Sequence, residues 1–223
     1  MQAAPLLKRR APVSWEVEER ILPATGSRAE RTQKRRRALL DTARELFAKH
    51  GYEETSTEEI VRTVGVTRGT LYSQFRDKAA LFAAVYQEQR IALAQSISEC
   101  IQVADGAPQQ QVVLAVCRAS IEKAADPQVR RILFADGPAV LDQAVIREPD
   151  PALLLLRQAF EPLMAEGALD PPPLDPLIHL IWATCFEAGT YIASADDSAA
   201  AQQEMIGTLE RLLTGLWSRS PAV

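Results

Sequence analysis

The feature that most constrains the fold of this chain is a single glycine, Gly65, between two short helical patterns. Before it, Ile60 and Val64 recur four residues apart, and after it Leu71 and Phe75 do the same, so each pattern predicts a short helix with one buried side. Gly65 permits the tight turn that brings two such helices together. The pair has the form of a helix-turn-helix, a motif whose second helix lies in the major groove of DNA.

Hydroxyl side chains mark where both short helices begin. Ser56 or Thr57 is expected to cap the first of them, with Glu59 as the capping-box partner of Ser56. Thr67 is expected to cap the second, the candidate recognition helix, which we predict over residues 68–75. A longer helix precedes the pair and ends at a glycine, Gly51. Its predicted apolar stripe comprises Leu39, Ala43, Leu46, Phe47 and His50.

The outward residues of the candidate recognition helix are of the kind that contacts DNA. Arg68 has a guanidinium that can donate two hydrogen bonds to the O6 and N7 atoms of guanine. Thr67 and Thr70 can reach a phosphate or a thymine methyl group, and Gly69 allows the backbone to approach DNA closely. Ser73 and Gln74 are the remaining residues that face outward from this helix. The alternative interpretation is an ordinary solvated helix that carries one arginine.

This segment resembles the N-terminal domain of the TetR family of transcriptional regulators. The sequence departs from the family pattern at Val61 and Val64, where alanine is usual, and at Ser73 and Gln74, where aromatic residues or histidine are frequent. The residues that carry the resemblance are Ala43, Leu46, Phe47, Gly51, Tyr52, Thr55-Ser56-Thr57, Ile60, Gly65-Val66, Gly69-Thr70-Leu71-Tyr72, Phe75, Lys78, Leu81 and Val85.

The resemblance implies roles for individual residues. Thr57, Tyr72 and Lys78 would contact phosphates, although Tyr72 could instead be a packing aromatic and Lys78 a solvated lysine. Lys34 and Arg35, in a basic cluster that leads into the first helix, would follow the DNA backbone, or would belong to a solvated helix start. Four residues would face base edges: Thr67, Arg68, Thr70 and Ser73.

The distribution of charge supports contact with nucleic acid by the N-terminal part alone. Residues 1–78 carry 16 Lys or Arg and 11 Asp or Glu, whereas residues 79–223 carry 9 and 18. A basic head on an acidic body is typical of a chain in which only the head approaches phosphates. We therefore divide the chain into a flexible basic arm (1–28), a helix-turn-helix domain (29–78) and a helical regulatory and dimerisation domain (79–223).

The sequence pattern after the helix-turn-helix predicts only helices. The expected fold is therefore all-α, with a three-helix head followed by a helical domain. Gly137-Pro138 is expected to end one of these helices. Proline-rich or glycine-containing breaks separate predicted helices at about residues 77–103, 109–125, 128–134, 139–147, 152–166, 174–195 and 198–217.

The last two predicted helices indicate a dimer. Residues 177–195 are apolar nearly all round, which predicts burial on every side. Together the two helices resemble the pair that, in the TetR family, packs against its copy as a four-helix interface, and residues 129–141 resemble one version of the family's regulatory domain. The apolar stripe of the final helix comprises Met205, Leu209, Leu212, Leu213 and Leu216.

Several other classes of protein are disfavoured by the composition. His179 and Glu187 interrupt the most apolar helix, so we expect no membrane span. Three distant cysteines and two histidines predict reduced thiols in a cytoplasmic protein, with no metal and no cofactor. No nucleophile motif or phosphate-binding loop favours an enzyme or carrier with a DNA-binding head.

The leading hypothesis is a dimeric repressor that binds a palindromic operator in double-stranded DNA and is released by a small, mostly apolar effector. The alternative is a constitutive regulator whose C-terminal domain is only a dimerisation scaffold. A cavity in the C-terminal domain would favour the repressor that responds to an effector. The candidate lining residues, each of which could equally be core, are Phe134, Phe160, Met164, His179, Trp182, Cys185 and Phe186, with Glu187 as a polar candidate.

Overall fold

The computed structural model describes residues 28–103, 107–146, 150–165 and 173–217. Within those ranges every regular element is helical, which confirms the all-α prediction. Eleven α-helices and one π-helix are found there: α1 (Arg28–Glu54), α2 (Thr57–Val64), α3 (Arg68–Tyr72), α4 (Lys78–Val103), α5 (Gln109–Ala124), α6 (Pro127–Val129), the π-helix (Arg130–Asp136), α7 (Gly137–Val140), α8 (Gln143–Ile146), α9 (Pro151–Ala165), α10 (Leu174–Ser194) and α11 (Ser198–Trp217).

A small apolar core holds the helix-turn-helix against α1 and the start of α4. Its stripe on α1 is narrower than predicted, because Leu46 is only partly buried and the polar ring of His50 stays in solvent. The buried residues from all four helices belong to one cluster, which includes Leu39, Ala43, Phe47, Ile60, Leu71 and Phe82.

The predicted helix caps are confirmed. Ser56 Oγ accepts a hydrogen bond from the Glu59 N–H at 3.1 Å, and Thr67 Oγ1 accepts from the Thr70 N–H at 3.3 Å. Gly65 has φ 76° and ψ 33°, the left-handed conformation that glycine adopts without a steric penalty. The recognition helix is shorter than predicted and ends at Tyr72, after which a turn continues the chain.

Gly51 ends the first helix of α1, as predicted, and a separate short helical turn follows it within the same element. Its φ of 83° and ψ of 171° lie outside the helical region, yet helical turns continue to Glu54. Beyond the bend, the Thr55 hydroxyl donates to the Gly51 carbonyl oxygen at 2.7 Å. The bend therefore orients a last short turn that leads directly into α2.

In the C-terminal part, α4, α5, α9 and α10 pack against one another, and α11 packs on α5 and α10. Their bounds agree with the predicted ones to within a few residues. Within the described ranges, no helix combines the length and apolarity that a bilayer span requires.

The expectation that Gly137-Pro138 ends a helix is wrong. Gly137 has a helical backbone, and its N–H donates to the carbonyl of Ile132, five residues earlier, which is the π-helical pattern. Glycine is needed there for close packing, because a Cβ atom would lie 2.5 Å from the Tyr86 ring. The helical path breaks instead at the extended residue Leu141, so α7 and α8 replace the single predicted helix 139–147.

Part of α10 stays exposed in the single chain, so its predicted burial on every side would need a partner. Leu180 is 67% exposed and Tyr191 is 48% exposed. The predicted apolar stripe on α11 also lies partly on a buried face and partly on an exposed face of the helix. Leu209 and Leu213 are buried in the chain's own core, whereas Leu212 is 59% exposed. An apolar surface is therefore left on both C-terminal helices.

The predicted flexible arm lies outside the described residues, apart from Arg28, where α1 begins. Lys34 and Arg35 are exposed residues in the first part of α1. In the same part, the Thr32 hydroxyl donates to the Arg28 carbonyl oxygen at 2.9 Å.

Candidate nucleic-acid interface and interior cavity

The recognition helix presents a polar surface to solvent. Thr67, Arg68, Gly69 and Ser73 are exposed, and Thr70 and Gln74 are partly buried. The Thr67 and Thr70 hydroxyl oxygens lie 3.0 Å apart, and the Ser73 hydroxyl donates to the Thr70 carbonyl oxygen at 2.8 Å. These hydroxyl groups are therefore ordered by their own helix before any partner arrives.

Arg68 is held by a carboxylate from the preceding helix. Its Nη2 atom lies 2.6 Å from Glu58 Oε1, and both side chains are more than half exposed. Hydrogen bonding to the backbone N–H of Glu58, and then the charge of Arg68, lower the pKa of the Glu58 carboxyl group. The guanidinium is thus oriented at the surface, where a phosphate or a base edge would compete with Glu58. Sequence reasoning missed Glu58, because its proximity to Arg68 depends on how the two helices meet.

Tyr72 lies at the surface and not in the core, with 45% of its area exposed. Hydrogen bonding with the Thr57 side chain, and then with Arg68, lowers the pKa of the Tyr72 hydroxyl. Thr57 itself is nearly buried at the start of α2. Thr57, Tyr72 and Arg68 therefore lie near one another on the surface that the two helices of the motif share.

Two basic side chains border this surface and also hold the head together. Lys78 Nζ donates to the Glu53 carbonyl oxygen at 3.3 Å and lies 4.2 Å from the centroid of the Tyr52 ring. Arg36 lies 4.5 Å above the Phe75 ring, and its Nη1 atom donates to a backbone carbonyl oxygen of the turn after α3. Sequence reasoning named Lys34 and Arg35 but missed Arg36, which only its contact with Phe75 distinguishes from its basic neighbours.

A cavity of about 50 Å³ lies in the helical domain. Side chains of α4, α5, the π-helix, α9 and α10 line it, and most of them are apolar or aromatic. Three rings are adjacent in its wall. The centroids of Phe134 and Phe186 are 5.4 Å apart, and so are those of Phe186 and Trp182.

The polar groups in the cavity wall are paired with one another. Arg90 Nη2 lies 3.0 Å from Asp150 Oδ2, and the two side chains are only 4% and 11% exposed. The Trp182 indole N–H also donates to Asp150 at 3.1 Å, and Arg90 donates to the Gln87 side chain at 2.9 Å. Because these charges already have protein partners, the wall suits an uncharged ligand better than an ion.

The structure separates the predicted lining residues into two groups. Phe134, Trp182, Cys185 and Phe186 line the cavity. The others do not: His179 is exposed and lines a separate pocket of about 310 Å³ beside Asp150, Glu187 is exposed, and Phe160 and Met164 pack in the core. The buried pair of Arg90 and Asp150 was missed, because Arg90 directly follows the polar run Gln87-Glu88-Gln89 and the sequence does not distinguish it from a solvated arginine.

Tyr86 joins the head to this cavity through α4. It is almost fully buried, lines the cavity and belongs to the same core cluster as the helix-turn-helix. Burial raises the pKa of Tyr86 to about 12, because the phenolate would lose its hydration. Its ring packs closely over Gly137, at the end of the π-helix.

Comparisons with known proteins agree with both parts of this architecture. Residues 39–85 match the family model described as bacterial regulatory proteins of the tetR family. Residues 110–216 match the model of a tetracyclin repressor-like C-terminal domain. The first match covers the helix-turn-helix, and the second covers the helices that line the cavity apart from α4.

Curated relatives are transcriptional regulators by name. The transcriptional repressor AcnR of Corynebacterium efficiens is 33% identical over 117 residues, which is 49% of this chain and 61% of that protein. The repressor ComR of Escherichia coli is 48% identical over 50 residues, 22% of this chain and 24% of that protein. The chain thus spans less than two thirds of the length of these relatives.

A solved structure extends the similarity to the whole fold. A TetR-family transcriptional regulator from Pectobacterium atrosepticum superimposes with a TM-score of 0.75 and 29% identity. The match covers 88% of this chain and all of that one. The two family models and this structure place the same kind of head before the same kind of helical domain. The chain therefore belongs to the TetR family of DNA-binding transcriptional regulators.

Proposed function

We propose that this protein is a cytoplasmic, homodimeric repressor that binds a palindromic operator and is released from it by a small, mostly apolar molecule. The observation that carries the DNA-binding part is the ordered polar surface of α2 and α3, where Glu58 holds Arg68 and the hydroxyl groups of Thr67, Thr70 and Ser73 are hydrogen-bonded within α3 and its caps. Repression is supported by its similarity to AcnR and ComR, which are both named transcriptional repressors.

The proposed DNA contacts divide by chemistry. Arg68 reads a guanine, and the hydroxyl groups of Thr67, Thr70 and Ser73 reach neighbouring base edges or phosphates. Tyr72, Thr57 and Lys78 hold phosphates, with Gln74, Lys34 and Arg35 as further contacts. The head comprises residues 29–78, and residues 79–223 regulate it.

The proposed dimer uses the surface that α10 and α11 leave open. Leu180, Tyr191 and Leu212 are large apolar side chains that remain exposed in one chain, on two helices that pack side by side. Apolar side chains grouped in this way mark an interaction surface. A two-fold dimer would offer two recognition helices to two half-sites of an inverted repeat.

The proposed effector site is the cavity beside Trp182. Its aromatic wall and its internally paired charges favour an uncharged, mostly apolar molecule. The second candidate function is a constitutive regulator, which requires no such site. The cavity therefore favours the repressor that is released by an effector. Trp182→Ala should reduce the response to an effector while operator binding without effector is kept.

The test is selection of DNA from a random-sequence duplex pool with the purified full-length protein, followed by light scattering of the complex. We expect enrichment of one inverted repeat bound by two chains. Arg68→Ala should cost about 1–3 kcal/mol at each half-site and relax the preference for one base. Failure to enrich any duplex, or equal losses on selected and random DNA for Arg68→Ala, would contradict the proposal.

A further inference from the structure

We propose that the effector site continues past Asp150 into a second void, and that its ligand is an elongated, uncharged molecule with one hydrogen-bond donor between two apolar parts. This inference rests on the proposed function and deepens it, since it names the class of effector. The second void, here called the outer pocket, has a volume of about 310 Å³ and lies between α9 and α10. Asp150 lines both the outer pocket and the interior cavity.

The interior cavity is too small to hold an aromatic effector by itself. Its volume of about 50 Å³ accommodates only a few water molecules, whereas a benzene-sized ligand occupies apolar cavities of about 150 Å³ in proteins. The outer pocket exceeds that size. A ring can therefore lie in the outer pocket while only a short apolar group enters the cavity.

Both voids are lined by α9 and α10, and they lie about one helical turn apart along these helices. On α10, Ile178 lines the outer pocket, and Trp182, four residues later, lines the cavity. On α9, Leu153 lines the outer pocket, and Leu156, three residues later, lines the cavity. Because one turn of an α-helix rises by about 5.4 Å, a single small molecule is long enough to reach both voids.

Asp150 lies at the junction of the two voids and can accept a further hydrogen bond. Its Oδ2 atom pairs with Arg90 Nη2 at 3.0 Å and accepts the Trp182 indole N–H at 3.1 Å. Its Oδ1 atom accepts one hydrogen bond from the described residues, that of the Ala152 N–H at 2.9 Å. A carboxylate oxygen has two lone pairs, so a hydroxyl group or an amide N–H of a ligand could bind Oδ1 without displacing Ala152.

The charges at the junction favour an uncharged donor. Arg90 already neutralises Asp150, and the two side chains are only 4% and 11% exposed. A cationic ligand would bring an excess positive charge to this buried pair, and an anionic ligand would be repelled by the carboxylate. A hydroxyl or amide group donates a hydrogen bond without either cost.

The outer pocket combines an apolar lining with polar groups that already have protein partners. Arg157 pairs with Asp175, and the His179 Nδ1–H donates to the Asp175 carbonyl oxygen at 2.9 Å. This part of the site therefore also favours an uncharged, apolar group such as a phenyl ring. The apolar lining residues are Pro151, Leu153, Leu154 and Ile178.

The test is isothermal titration calorimetry of the full-length protein with three uncharged probes. The first, α-ethylbenzyl alcohol, carries its hydroxyl group between a phenyl ring and an ethyl group. Propylbenzene lacks the hydroxyl group, and benzyl alcohol lacks the ethyl group. We expect α-ethylbenzyl alcohol to bind about 5-fold or more tightly than either, because it alone reaches both voids and donates to Asp150. Equal affinities for α-ethylbenzyl alcohol and propylbenzene would overturn the proposal, as would failure of all three probes to bind.

Two substitutions test where the two ends of the ligand lie. Leu154→Trp fills the outer pocket from an exposed position on α9, and Gln158→Trp, also exposed on α9 but outside both linings, is the matched control. Leu154→Trp should weaken the binding of α-ethylbenzyl alcohol by about 10-fold, and Gln158→Trp should not change it. Val116→Ile adds one methylene group to the cavity wall, and it should weaken the binding of α-ethylbenzyl alcohol but not that of benzyl alcohol.

Two results with these variants would contradict the proposal. Wild-type affinity in Leu154→Trp would exclude the outer pocket from the ligand site. A lower mass of Leu154→Trp in light scattering would assign the outer pocket to contact with a second copy of the chain. If Val116→Ile does not fold, nuclear Overhauser effects in the wild-type complex replace it. The ethyl protons should then contact Val116 and the phenyl protons Leu154, and the absence of either contact would overturn the proposal.

The calorimetry requires no DNA, so its outcome is separate from that of the proposed function. Binding of α-ethylbenzyl alcohol as expected, without any loss of affinity for the selected duplex, would support the extended site and contradict its role in releasing the operator. If the wild-type protein enriches no duplex, the proposed function fails, and the three probes still test the site.

Discussion

Arg68 and Glu58 form an ion pair, with 2.6 Å between Nη2 and Oε1, at the exposed surface of the helix-turn-helix. A pair so open to water contributes little to stability, because solvent screens the two charges. Its effect on DNA binding is larger, since a carboxylate at this surface repels phosphates and competes with them for the guanidinium. Glu58 therefore keeps Arg68 ordered but opposes indiscriminate contact with DNA.

Glu58→Gln should strengthen binding to random DNA more than binding to the selected duplex, because it removes a repulsion that acts on every phosphate backbone. The free energy of unfolding should hardly change, as is usual for a substitution at an exposed site. Fluorescence anisotropy over a salt series measures both affinities, and Glu45→Gln on the exposed face of α1 is the control. Weaker binding to both duplexes would mean that Glu58 mainly positions Arg68.

Gly69→Ala should raise the stability of the protein and lower its affinity for DNA. A Cβ atom at this position would meet only the Thr67 side chain, at an ordinary 3.8 Å, and alanine favours a helix over glycine by about 1 kcal/mol. If the backbone of α3 approaches DNA at this point, the added methyl group blocks it. Urea unfolding and duplex titration give the two values. Unchanged affinity in the stabilised variant would show that Gly69 does not face DNA.

Leu212→Glu should produce a folded monomer, whereas Leu213→Glu should destabilise the chain itself. The two leucines are adjacent, but Leu212 is exposed and Leu213 is buried in the chain's own core. An unpaired charge is costly at an interface and more so in a core. Light scattering reports the mass and circular dichroism the fold. A Leu212→Glu protein that remains dimeric would place the interface on another surface.

Asp150→Ala should destabilise the protein by about 3–5 kcal/mol, since it leaves the Arg90 charge buried without its carboxylate. Replacement of both residues, Arg90→Met with Asp150→Leu, should cost much less, because no uncompensated charge remains. Chemical unfolding of the single and double variants gives the difference. Equal losses in both proteins would indicate that packing around these side chains, and not their charge, is what matters.

Tyr86→Phe should remove part of the loss of stability at high pH. The pKa of Tyr86 is raised to about 12 by burial, above the value of about 10 in an unfolded chain. The folded state therefore retains its proton longer than the unfolded state, and its stability falls as the pH rises from about 10 to 12. Urea unfolding at two pH values within and below this window, for wild type and Tyr86→Phe, measures the difference. Parallel losses in both proteins would exclude Tyr86 as the source.

Local signals in the sequence were enough to predict the helix-turn-helix in detail. The caps at Ser56 and Thr67 and the left-handed Gly65 depend on neighbours within four residues, so their chemistry is visible in the chain itself. The same local rules failed at Gly137, where the glycine serves a distant ring, that of Tyr86.

Contacts between distant segments could not be predicted in this way. Arg90 and Asp150 are 60 residues apart, and Tyr52 and Asp136 are 84 apart, so nothing in either neighbourhood identifies the partner. The division of the α11 stripe has the same origin. Leu209 and Leu213 face α5 and α10 of the same chain, and only that packing shows which leucines remain for a partner.

In the free protein the hydroxyl groups of the recognition helix already bond to one another and to its backbone, and the Arg68 guanidinium is already paired with Glu58. Association with DNA would therefore be an exchange of hydrogen bonds, not a gain of new ones from water. A matching base replaces each internal hydrogen-bond partner that is lost, so the exchange changes the free energy of these groups little. A mismatched base leaves a donor with neither partner, which costs about 1–3 kcal/mol. On such a surface, discrimination between sequences comes chiefly from the penalty for wrong bases, and loosely held contacts would discriminate less.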